Sequence, residues 1–171
     1  MAMWKTFLRE LNLNRKKICC ILAGYLALAY TGYMIPQKIS ISPTDSVGAH
    51  VFFYKRNFYP SDLQKNSLVV VPLYTRIRKN CWPCQVVKYV KCDSGDKLEA
   101  TGRGEFFCND VYLGRAKTHS REGTPVERFE YDGIIPEGKF FAMGTCVDSY
   151  DSRYVGLEDK RDIKAVAVPL F

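Results

Sequence analysis

Residues 85–96 read QVVKYVKCDSGD, and the fold turns on how this stretch behaves. Residues 85–92 are rich in β-branched and aromatic side chains, which suit a pleated sheet surface. Asp93, Ser94, Gly95 and Asp96 then supply turn chemistry. The stretch predicts a strand ending in a tight turn. Strand side chains alternate between faces, so Val86, Lys88 and Val90 share one face and Val87, Tyr89 and Lys91 the other. Each face thus carries a lysine in apolar company. One reading is an edge strand whose charges discourage pairing with another chain. The other is a lysine kept neutral by desolvation and ready to act as a base.

The flanking pattern is also β. Ile39-Ser40-Ile41 alternates, and residues 42–46 break the pattern. Further strands are expected at 50–55, 67–73, 97–101, 104–108, 111–113, 126–131, 138–143 and 163–168. Asn109-Asp110 suits a tight hairpin turn. Residues 76–83 form a basic, turn-rich link, and residues 116–125 an exposed polar loop. No helical period persists beyond Pro36. The fold class is mostly β, a sandwich or barrel-like domain on one N-terminal transmembrane helix.

That helix is expected over residues 18–35, an uncharged run of 18 residues ending at Pro36. Arg15, Lys16 and Lys17 precede it, which by the positive-inside rule places residues 1–17 in the cytoplasm and residues 36–171 across the membrane. A cleavable signal peptide competes, because Ala27-Leu28-Ala29 is an A-x-A site; the apolar run continues past it, favouring a retained anchor. The chain of 171 residues has a net charge of +7, of which +4 sits in residues 1–17. The body is near balance, which argues against nucleic acid as a partner.

Export makes the cysteines candidates for pairing. Cys19 and Cys20 lie in the span, and Cys81, Cys84, Cys92, Cys108 and Cys146 in the body. Cys81-Trp82-Pro83-Cys84 has redox-motif spacing but lacks a following βαβ unit; a local disulfide or a link to Cys146 competes with a thiol–disulfide activity. Cys92 and Cys108 flank a hairpin-like segment and are a further possible pair. Zinc is disfavoured, because His50 and His119 stand far from any cysteine pair.

Three stretches offer chemistry: PTDSVG at 43–48, the Lys88 strand with its turn, and DSYDSRYVG at 148–156. A serine hydroxyl needs a base to become a nucleophile. His50, four residues from Ser46, would form a triad with Asp45 only if the geometry assembled it. Lysine is the alternative base, its ordinary pKa of about 10.4 lowered by burial.

In this order the motifs resemble the type I signal peptidase family of membrane-anchored serine–lysine endopeptidases. The match includes the single anchor, the serine loop, Lys88 eight residues before Asp96, and the stretch IIPEGKFFAMG at 134–144 leading into DSYDSRYVG. Within the family it is most similar to the TraF-type conjugative-transfer peptidases, through Asp45-Ser46-Val47 and His50-Val51-Phe52. The resemblance implies Ser46 as nucleophile and Lys88 as general base. It implies Thr44 and the Ser46 N–H as oxyanion donors, Ser149 orienting the lysine, and Asp151 with Arg153 as a supporting ion pair. It implies no metal or cofactor, a preprotein or pilin substrate, contact with membrane lipid, and a single-pass bacterial inner-membrane protein with its catalytic domain in the periplasm. Hydrolysis and pilin cyclisation share the acyl-enzyme. The sequence departs from the family at Ser94, where proline is usual, and at Gly144-Thr145-Cys146, where Gly-Asp-Asn is usual. Those departures sustain an alternative, a non-catalytic pilus or secretion assembly factor on the same fold.

Overall fold

The computed structural model describes residues 2–74 and 84–170, with residues 2–14, 36 and 37 described by backbone only. The chain divides into two compact units, Met1–Ile39 and Ser40–Phe171.

The first unit is dominated by one helix, α1 (Ala2–Lys38). Its segment Arg15–Ile35, 21 residues with a mean hydropathy of 1.8, is long and apolar enough to cross a membrane. The helix continues two residues past Pro36, where the apolar run stops. A proline this close to a helix end removes one hydrogen bond and leaves little helix to disrupt.

The second unit is mostly β. Its strands are β1 (Ile39–Ile41), β2 (Val51–Lys55), β3 (Leu68–Leu73), β4 (Cys84–Asp93), β5 (Lys97–Ala100) and β6 (Glu105–Cys108). These are followed by β7 (Val111–Arg115), β8 (Asp132–Ile134), β9 (Lys139–Met143), the single helical turn α2 (Ser152–Val155), β10 (Glu158–Asp159) and β11 (Ala165–Pro169). They form two sheets, one of seven strands in the order β1-β2-β11-β3-β4-β9-β10 and one of four in the order β7-β6-β5-β8.

β3 is buried at all six positions, which its uninterrupted apolar sequence requires of a strand covered on both faces. Leu68 and Val70 pack with Phe52, Val87 and Ala167, while Val69 and Val71 pack with Val90, Phe140 and Ile163. A third cluster joins Phe141 and Met143 of β9 to Leu98 and Phe106 of the smaller sheet, with the rings of Phe106 and Phe141 stacked 5.2 Å apart. The Cys92–Cys108 disulfide ties the end of β4 to the end of β6.

β4 is an interior strand, with β3 on one side and β9 on the other, so the edge-strand reading of residues 85–92 is corrected. The register with β9 shifts between Val90 and Cys92, so Lys91 occupies a bulge. Its amine bonds Asn66 Oδ1 at 2.7 Å and lies 4.8 Å from the centre of the Tyr89 ring. The turn after β4 closes with an Asp96 N–H to Asp93 O bond of 3.0 Å, and Gly95 takes the positive φ of +86° it needs. Asn109 and Asp110 both adopt left-handed φ, as a two-residue hairpin turn demands.

The strand expected at 126–131 is absent. Its backbone groups are spent on separate partners: Val126 N–H on Thr118 O, Phe129 N–H on Arg153 O, and Tyr131 O on Ala100 N–H. No single ladder forms, and β8 takes the pairing with β5. The link expected at 76–83, with Cys81, lies outside the described residues. Cys84 is disulfide-bonded, and Cys19, Cys20 and Cys146 are free thiols, so the proposed link to Cys146 is not made.

Candidate active site

Ser46 sits in the loop between β1 and β2. A Ser42 N–H to His50 O bond of 2.7 Å draws the loop together, and Gly48 supplies a positive φ of +71°. Three hydroxyls line up: Ser42 Oγ lies 3.2 Å from Thr44 Oγ1, which lies 3.2 Å from Ser46 Oγ. The Ser46 carbonyl accepts from the Thr145 N–H at 2.8 Å, fixing the loop to the segment after β9. His50 does not complete a triad. Its Nε2 lies 3.0 Å from Asp45 Oδ1 and its Nδ1 lies 3.1 Å from the Ser42 carbonyl, so both nitrogens are engaged away from Ser46.

Lys88 is only 3% exposed, and its cross-strand neighbour on β3 is the fully buried Val69. Its Nζ donates to Ser149 Oγ at 2.6 Å across 61 residues of sequence. Ser149 is itself buried and is held by its N–H to the Cys146 carbonyl, 3.0 Å. Ser46, Lys88 and Ser149 line one cleft of about 580 Å³.

Asp151 and Arg153 hold the loop that carries Ser149. Both are 2% exposed. Arg153 Nε and Nη2 reach the two Asp151 oxygens at 2.8 and 2.9 Å. The same guanidinium donates to the carbonyls of Arg115 (2.9 Å), Cys146 (3.1 Å) and Ser149 (3.0 Å). Asp151 also accepts from the Gly144 N–H at 2.9 Å. Burying two charges is costly unless each lone pair and N–H finds a partner, and here they do. Burial opposes the Arg153 charge, but the hydrogen bond and charge of Asp151 outweigh it and raise its pKa.

Sequence reasoning missed several groups. Gly144 has no room for a side chain, because a Cβ there would meet Ser149 Oγ at 2.3 Å and the Ser46 carbonyl at 2.5 Å. Ser152 is fully buried and accepts from the Ala142 N–H of β9 at 3.0 Å. Ser94, in place of the family's proline, donates its hydroxyl to the Lys139 carbonyl at 2.8 Å and ties the β4 turn to β9. Lys117 and Arg121, on the loop expected only to be polar and exposed, both pair with Asp148. The adjacent small and polar residues in 144–152 were the available signal, but only the fold reveals which of them touch.

A mostly β domain brings a buried amine, a loop serine and a second serine hydroxyl to one cleft, groups of the kind acyl transfer uses. The family model for signal peptidase, peptidase S26, matches residues 14–171. The chain therefore belongs to the signal peptidase family, serine peptidases that remove leader peptides from preproteins. With its N-terminal apolar helix, membership marks a membrane-anchored protein. The crystal structure of a signal peptidase I from Enterococcus faecalis V583 aligns at a TM-score of 0.39 and 18% identity, over 61% of this chain and 96% of that one. None of the curated proteins compared matches the chain.

Proposed function

We propose that Ser46 and Lys88 form a catalytic dyad that cleaves leader peptides, conjugative pilin precursors above all, on the periplasmic side of a bacterial inner membrane. One observation carries the catalytic part: a buried Lys88 amine 2.6 Å from Ser149 Oγ, in the cleft that Ser46 lines. Loss of water favours a neutral amine, which is the form a base requires. The pilin substrate rests on the resemblance to the TraF-type branch, and the orientation rests on Arg15, Lys16 and Lys17 before the span.

In this mechanism an extended substrate lies along the cleft by main-chain hydrogen bonds. The Ser46 hydroxyl passes its proton to Lys88, and Oγ attacks the scissile carbonyl carbon. The Ser46 N–H and the Thr44 hydroxyl take the developing oxyanion. Lys88 returns the proton to the departing amine as the peptide bond breaks. A water deprotonated by Lys88 then releases the acyl group. Where the substrate's own amine replaces that water, the product is a ring, lighter by one water than the linear peptide. Ser149 orients the amine, and Asp151 with Arg153 holds Ser149.

Co-expression with a pilin precursor carrying alanine before the cut tests the reading. Ser46→Ala and Lys88→Ala are each expected to slow processing by at least about 10³-fold. His50→Ala leaves it close to wild type, because both ring nitrogens are engaged elsewhere. Normal maturation in either dyad variant refutes the mechanism, and the mass of the mature pilin separates cyclisation from hydrolysis.

A further inference from the structure

The loop from Lys117 to Val126 is a small arm whose internal bonds are largely its own. Ser120 N–H bonds Thr124 O at 2.8 Å, Val126 N–H bonds Thr118 O at 3.0 Å, and His119 bridges Pro125. Its root is fixed. The Ala116 N–H bonds Gly104 O at 2.8 Å, and the Lys117 N–H bonds Tyr154 Oη at 2.9 Å. The tip, residues 120–123, carries almost no apolar anchor and is largely exposed. Yet Lys117, Ser120, Arg121 and Glu122 line the same cleft as Ser46 and Lys88.

Among the described residues, the ion pair that ties the tip to the rest of the molecule is made by Asp148. Asp148 Oδ2 lies 2.9 Å from Arg121 Nε, and Asp148 Oδ1 pairs with Lys117 Nζ. Asp148 immediately precedes Ser149, the residue that receives the Lys88 hydrogen bond. The Asp148 side chain therefore joins the arm to the loop that orients the base. Hydrogen bonds from Lys117 and then Arg121 hold the Asp148 carboxyl below the usual carboxylate range. Asp148 first, by hydrogen bond and charge, and the charge of Asp45 next to Ser46 least, raise the Arg121 pKa.

The geometry points to Asp148 as a positioning residue that clamps the 117–126 arm as one wall of the substrate cleft. The clamp sets how tightly substrate is held without touching the reacting atoms. The inference rests on the peptidase reading. Because the ion pairs are near the surface, the clamp weakens as salt screens them.

The test uses the full chain in detergent micelles and an internally quenched peptide with an Ala-X-Ala cleavage sequence. Asp148→Asn is expected to raise KM about threefold to tenfold while kcat moves less than about threefold. Salt at about 1 M raises the wild-type KM toward that of the variant and leaves the variant's KM unchanged. Arg121→Gln raises KM in the same way, and the double variant adds little to either single change. Hydrogen–deuterium exchange at 117–126 is faster in Asp148→Asn, a readout independent of turnover. A fall in kcat at constant KM, additive single effects, or unchanged exchange overturns the clamp. If wild type cleaves the peptide no better than Ser46→Ala, the peptidase reading fails, and the exchange result still decides whether the arm is clamped.

Discussion

Gly144→Ala is the smallest change that should separate folding from catalysis. An added Cβ would lie 2.3 Å from Ser149 Oγ, 2.7 Å from Ser149 Cβ and 2.5 Å from the Ser46 carbonyl oxygen. Comfortable separation is about 3.5 Å, so the neighbours must retreat by roughly 1 Å in total on each side. Neither yields easily. The Ser46 carbonyl is held by Thr145, and Ser149 is buried against Lys88. Overpacking of this kind costs about 1–3 kcal/mol, which a domain stable by about 5–15 kcal/mol survives. The effect on chemistry is larger, because about 1 Å of misplacement between reacting groups costs on the order of 10²-fold. Single-turnover cleavage of a preprotein and a denaturation midpoint, both on the full chain, measure the two effects. Gly102→Ala is the control: a Cβ there meets nothing within 4 Å. A Gly144→Ala protein that cleaves as fast as Gly102→Ala would falsify the claim that Ser46 and Ser149 must meet over this glycine.

Three further outcomes follow from the packing. Arg153→Leu strands the buried Asp151 carboxylate and removes one donor from each of three carbonyls, so the denaturation midpoint should fall by the equivalent of about 3–5 kcal/mol. Replacing both Cys92 and Cys108 with serine opens a cross-link between residues 16 apart, and about 3 kcal/mol of stability should go with it in the same assay. Glu158 has its pKa raised to about 7, first by burial and then by the charges of Asp162 and Asp151 against the help of Lys139. Its folded form binds a proton more tightly than its unfolded form, so this group makes stability fall as pH rises from about 4.5 to 7. The slope is at most about 1.4 kcal/mol per pH unit. Glu158→Gln should flatten that decline and leave the protein more stable than wild type at pH 8; a parallel pair of pH–stability curves would count against it.

Local structure was legible where local chemistry governs it. The strand β4, the Asn109-Asp110 turn and the Gly95 turn each follow from neighbours two to four residues apart. The failure at 126–131 has the opposite origin. Val126, Phe129 and Tyr131 suit a strand by propensity, but their backbone partners come from three separate segments. The parity of residues 85–92 was right up to Val90, and the bulge at Lys91 then reset it for Cys92. No residue type at that position announces a bulge.

The sequence by itself determined a charged arm, one apolar span and a β domain, because hydropathy and strand alternation are properties of the chain read in order. It also nominated Ser46, Lys88, Ser149, Asp151 and Arg153, through motifs whose order resembles one family. Only the tertiary structure decided that Lys88 is interior and hydrogen-bonded to a serine 61 residues away. It likewise decided that His50 turns to Asp45, that Cys92 joins Cys108, and that Arg153 gathers Arg115 and the 146–151 loop. Those contacts depend on which strands lie side by side, and the order β3-β4-β9 is set by burying both faces of a sheet at once. No window along the chain contains that information.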